Sequence, residues 1–125
     1  MTLRDLIKEW ILRVQQQDQP SPEIKAFNFG LIETENGYTT YLIGAKSYSE
    51  DDDWACEEDY TPSERYLELP KDNVPSGWSE VQETIAQELT ELLRDEALEG
   101  TFLRTAEFIT TGFDDGDLTK VKNAS

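Results

Sequence analysis

The sequence predicts an α+β fold: an antiparallel sheet of four to five strands with an N-terminal helix and a second long helix, in the order α-β-β-β-α-β(-β). Three observations predict it. Leu3, Leu6, Ile7, Trp10, Ile11 and Val14 recur at the spacing of one helical face. Asn36-Gly37 sits between two runs rich in β-formers, the strongest short signal for a hairpin. Val81, Ile85, Leu89 and Leu92 restore the helical period before a last β-rich stretch. No internal repeat or linker divides the chain, so residues 1–125 read as a single α+β domain with its last few residues frayed.

Each element has a local cause. The first helix spans residues 2–17, opened by Thr2 with Asp5 three residues later as a capping box and stopped by the polar run ending in Pro20 and Pro22. Residues 26–35 and 38–48 form the hairpin. A two-residue turn at Asn36-Gly37 pairs Glu35 with Tyr38, Leu31 with Leu42 and Phe29 with Gly44. Phe27, Phe29, Leu31 and Leu42 then share one face, and Ile32, Tyr41 and Ile43 the other. Both faces are apolar near the base, which places the hairpin centrally in the sheet. Residues 65–69 make a short third strand ended by Pro70. Ser79 with Gln82 is a second capping box, opening a helix to about residue 98. Its buried stripe is Val81, Ile85, Leu89 and Leu92, helped by Ala86 and Leu93; Glu88, Glu91, Asp95 and Glu99 line a self-repelling solvent face. Gly100 stops it. Residues 105–113 are the fourth strand, and Asp115-Gly116 turns the chain into a fifth, with Phe113 opposite Leu118.

Composition narrows function. Acidic residues number 27 against 11 basic, a net charge of −16. Residues 1–25 carry four of each sign, so the whole excess lies in residues 26–125. That balance argues against nucleic acid and anionic membranes, which require a basic patch. It suits salt-sensitive association with a basic protein partner, and it equally serves solubility. There is no histidine and one cysteine. Ser–His and Cys–His nucleophilic pairs and the usual zinc sites are thereby removed, and no phosphate-loop, nucleophile-elbow or dinucleotide glycine motif occurs. The expectation is a non-enzymatic protein without cofactor or metal. No apolar run approaches a membrane span, and the first residues lack a leader's cleavage site, so a cytoplasmic location is expected.

Two acidic clusters draw attention. In SEDDDWACEEDY, residues 49–60, Asp51, Asp52, Asp53, Glu57, Glu58 and Asp59 surround Trp54, Cys56 and Tyr60. Such crowding costs stability unless a cation, a salt bridge or a partner neutralises it. Three readings stand: a solvated loop pinned by Trp54, a docking patch for a basic protein surface, and a divalent-cation site, the last without EF-hand spacing. Cys56 is a poor nucleophile, since its acidic neighbours raise the thiol pKa. In GFDDGDL, residues 112–118, Asp114, Asp115 and Asp117 serve turn chemistry, bind a cation or extend the acidic face.

The succession of N-terminal helix, NG hairpin, DDDWACEEDY, YLELP, amphipathic helix and GFDDGDL resembles bacterial immunity proteins of polymorphic and contact-dependent toxin systems. That resemblance implies a cytoplasmic inhibitor that binds a basic, nuclease-like toxin domain. Trp54 and Tyr60 would anchor the contact, and the carboxylates of both clusters would stand in for phosphates.

Overall fold

Two helices lie on one face of a five-stranded sheet. The structure is a computed structural model of the chain, describing residues 2–35, 37–48, 58–75, 77–113 and 116–122. Helix α1 spans Leu3–Gln17 and opens on the expected capping box: Asp5 N donates to Thr2 Oγ1 and Thr2 N to the Asp5 carboxylate. Its stripe Leu3, Ile7, Trp10, Ile11 and Val14 is buried. Strands β1 (Ala26–Thr34) and β2 (Gly37–Ala45) form the hairpin. Strand β3 is Tyr66–Leu69, stopped at Pro70. Helix α2 is Trp78–Leu92, helical turn α3 is Phe102–Thr105, and strands β4 and β5 are Phe108–Phe113 and Thr119–Lys122.

The sheet order is β3-β2-β1-β4-β5. It is mixed rather than antiparallel throughout, because β1 and β4 run parallel, with Ala26 opposite Phe108 and Leu31 opposite Phe113. The cause is α2. The helix carries the chain back along the sheet after β3, so β4 starts at the end where β1 starts and runs the same way. The hairpin register also differs from the expected one: Thr34 faces Gly37, Phe29 faces Leu42 and Phe27 faces Gly44. The pairing has slid by two residues, which leaves every side chain on its expected face. In the last hairpin Thr111 faces Thr119, one residue away from the register that would set Phe113 opposite Leu118, and a bulge between Ile109 and Thr110 makes up the difference.

Phe27, Phe29, Leu31, Tyr38, Leu42, Leu69 and Ile109 meet the buried stripes of α1 and α2 in the main core. Trp10 is fully buried, edge-on to Phe29, and its indole N–H donates to Glu64 O at 2.8 Å. On the opposite face, Gly30 lies under the ring of Tyr41, and the buried Thr110 hydroxyl donates to Asn28 Oδ1 at 2.9 Å.

The second helix departs from expectation at both ends. Its N-cap is Gly77 with no side-chain cap; Ser79 is inside the first turn, so the expected capping box is absent. It ends at Leu92, and residues Glu96–Leu98 form a separate 3-10 turn capped by Asp95. The residues expected to repel on a solvent face are partly paired instead: Glu88 binds Arg4 at 2.9 Å and Asp95 binds Lys8 at 2.8 Å, tying the region of α2 to α1. A helical period shows which residues share a face, and it does not show that a neighbouring helix presents cations to that face.

Candidate functional site

The described part of the first acidic cluster closes the base of the segment between β2 and β3. Tyr60 and Gly44 exchange backbone hydrogen bonds at 2.9 and 3.0 Å. The Asp59 carboxylate accepts from Lys46 N at 2.9 Å, and Glu58 pairs with Arg65. Tyr60 is half-buried. Its ring packs edge-on to Phe27, and its hydroxyl donates to Asp18 O. Burial, and then the charge of Asp18, push its phenol up to about 12. These contacts commit Glu58, Asp59 and Tyr60 to the fold. Asp51, Asp52, Asp53, Trp54 and Glu57 lie outside the described residues, as do Cys56, Asp114 and Asp115. Among the described residues no group of acidic or cysteine side chains is spaced to hold a metal ion.

Asp117 is exposed beyond the far end of β4. Tyr60 sits opposite Gly44, near the end where β1 and β4 begin. The described ends of the two acidic clusters are therefore separated by the length of the strands, roughly 20 Å for six residues. At the same end of the sheet as Asp117 stand other exposed carboxylates from elements distant in sequence, Glu33 and Glu35 of the hairpin, Asp72 after β3, and Glu80 and Glu83 of α2, with Lys71 beside Glu33 and Glu35. Trp78, in the first turn of α2, stands at this end with 63% of its surface exposed, edge-on to Phe113 at 6.2 Å. Sequence reasoning passed over Trp78. Its signal was present: Trp78 falls three residues before Val81, on the line of the buried stripe, yet it projects at the end of the sheet where, among the described residues, no strand covers it.

Beside Trp78 runs a groove of about 790 Å³ between α2 and β5, lined by Gln82, Ala86 and Thr90 on one side and Thr119 and Val121 on the other. Gln82 spans its floor. The side-chain amide donates to Thr119 Oγ1 at 2.8 Å and Asp117 O at 3.0 Å, with Thr111 O at 3.5 Å. A second, smaller hollow of about 340 Å³ lies nearby between Glu33, Glu35, Tyr38 and Lys71. No helix among the described residues is long and apolar enough to cross a membrane. No family model, curated protein or solved structure matches the chain.

Proposed function

We propose that this chain is a non-enzymatic, acidic protein-binding domain of the cytoplasm, an immunity protein that inhibits a basic, nuclease-like toxin domain by occupying its nucleic-acid site. The observation that carries the reading is how the basic residues are used. Of the 11 in the chain, Arg4, Lys8, Arg13, Lys46, Arg65 and Arg94 each pair with a carboxylate of the same chain. Lys122 and Arg104 donate to backbone carbonyls. With 27 acidic residues, the field presented to solvent is overwhelmingly negative. Glu33, Glu35, Asp72, Glu80, Glu83 and Asp117 crowd the end that also bears an exposed indole, a combination that steers a cationic protein and gives it an apolar anchor.

The test is a pull-down from the native host at low salt with salt-gradient elution and mass spectrometry. Two charge-reversed variants are compared, Asp51/Asp53/Glu57→Lys, which leaves the Glu58–Arg65 pair intact, and Glu33/Glu35/Glu80/Glu83→Lys. One basic protein with a nuclease-like domain, released by salt and lost in either variant, supports the reading. Partners indifferent to salt and to both variants would reduce the acidity to a solubility device. A melting temperature that rises in millimolar Ca²⁺ or Mg²⁺ would favour a cation-binding domain instead.

A further inference from the structure

We infer that the groove between α2 and β5 receives an extended, lysine- or arginine-bearing segment of the partner, which adds to β5 as a sixth strand; the inference rests on the protein-binding reading above. Three features carry it. First, β5 is the terminal strand of the sheet order, so among the described residues no strand lies beyond it. An edge strand offers a ladder of backbone donors and acceptors to an incoming chain. Second, the groove runs alongside that edge, and its two walls differ. Ala86 is a short side chain on the α2 wall, leaving room for side chains that alternate inward from an added strand, and Val121 gives the β5 wall an apolar surface. Trp78 stands at one end as a stop or anchor, largely exposed. Third, the groove selects for positive charge. Glu83 and Asp117 rim it against Lys120, and Glu91, also on the rim, is shared with Arg94 at 3.9 Å. The same charge disfavours a second copy of this chain at the edge, since each copy carries −16. Gln82 contributes by tying Asp117 and Thr119, where β5 begins, to α2, while the bulge at Val121 leaves Thr119 and Lys120 as the regularly paired part of the edge.

The experiment uses the full chain and a labelled peptide of about ten residues with alternating valine and lysine, long enough to cover a typical strand. Two isomers are N-methylated at every second residue, one along each edge, so that charge is retained and one row of backbone donors is lost. Binding is read by fluorescence anisotropy and located by amide shifts. The expected result is binding that shifts the amides of Lys120, Val121 and Lys122 and the Trp78 indole. One methylated isomer loses about tenfold or more in affinity and the other retains it, and Ala86→Arg, which fills the groove, weakens the parent peptide about tenfold with an unchanged melting temperature. Equal affinity of the two isomers or shifts confined to another surface would overturn strand addition, and a β5-mediated dimer in sedimentation would give the edge to a second copy and overturn the partner segment as its occupant. The two proposals fail separately. A captured basic partner that is indifferent to Ala86→Arg overturns the groove and leaves the inhibitor reading standing; edge-selective peptide binding without any protein partner supports the groove and removes the inhibitor reading.

Discussion

Replacing Gln82 tests whether one side chain holds β5 in place. Its amide group has two N–H donors and faces three acceptors. The contacts to Thr119 Oγ1 and Asp117 O, at 2.8 and 3.0 Å, are ordinary hydrogen bonds, whereas that to Thr111 O, at 3.5 Å, adds little. Each good bond is worth about 0.5–1.5 kcal/mol net, and both lie where water can replace the lost donor. Gln82→Ala should therefore weaken the attachment of β5 by about 1–2 kcal/mol. Strand β5 has four residues and one neighbour in the sheet, so the loss appears as local opening before it appears as global unfolding. Amide exchange at Lys120, Val121 and Lys122 should accelerate roughly 5- to 30-fold, with β1 amides changing less. Gln82→Glu should be worse than Ala, because a carboxylate would confront two carbonyl oxygens with no donor. Exchange in β5 that is unchanged by Gln82→Ala, or an equal acceleration in β1 and β5, would refute the reasoning.

Three further perturbations follow from the contacts described. Gly30→Ala would put a methyl group 2.1 Å from the Tyr41 ring, which stands on the opposed residue of β2, so it should cost about 1–3 kcal/mol in urea unfolding. Combining it with Tyr41→Ala should cost less than the sum of the two single variants; strict additivity would show that the ring does not rest there. Tyr60→Phe should cost about 0.5–1.5 kcal/mol at neutral pH by removing the hydroxyl that donates to Asp18 O. The folded phenol titrates near 12 against an ordinary 10.0, so its contribution is complete below pH 10 and lost as pH rises from there toward 12; the stability difference between wild type and Tyr60→Phe should shrink over that window. Glu64→Gln breaks the pair with Arg13, whose hydrogen bonds hold the Glu64 carboxyl below its ordinary 4.5. That contribution is present above pH 4.5 and lost as pH falls through the lowered value, and since the pair is partly exposed it should amount to less than about 1 kcal/mol at pH 7. A wild-type advantage that persists unchanged at pH 2 would contradict the assignment.

Much of the secondary structure was written locally. Thr2 and Asp5 satisfy each other's backbone donors within one helical turn, and Pro70 ends a strand because it has no donor to offer, whereas the hairpin turns between Thr34 and Gly37 and not at the expected Asn36-Gly37 pair. Alternation was robust as well: the hairpin slid by two residues and kept Phe27, Phe29, Leu31 and Leu42 facing the helices, because a shift by an even number preserves side-chain parity. Ser79 and Gln82 misled for the same local reason. They match the spacing of a cap, but the helix is capped at Gly77 and begins at Trp78, and Gln82 has better acceptors across the groove in Asp117 O and Thr119 Oγ1.

Sequence alone determined the α+β composition, the buried stripes of both helices, the central hairpin and a net charge of −16. Tertiary structure decided what long-range contacts decide. The parallel pairing of β1 with β4 depends on the direction in which α2 returns the chain. The pairing of Glu88 and Asp95 with Arg4 and Lys8 depends on which helix lies alongside. The placement of Glu33, Asp72, Trp78, Glu83 and Asp117 at one end of the sheet joins residues up to 84 positions apart in sequence, and only the order of the strands brings them to that end. Local patterns set the faces and ends of elements, because those depend on neighbours within a turn or a pleat; a surface assembled from four elements depends on their packing.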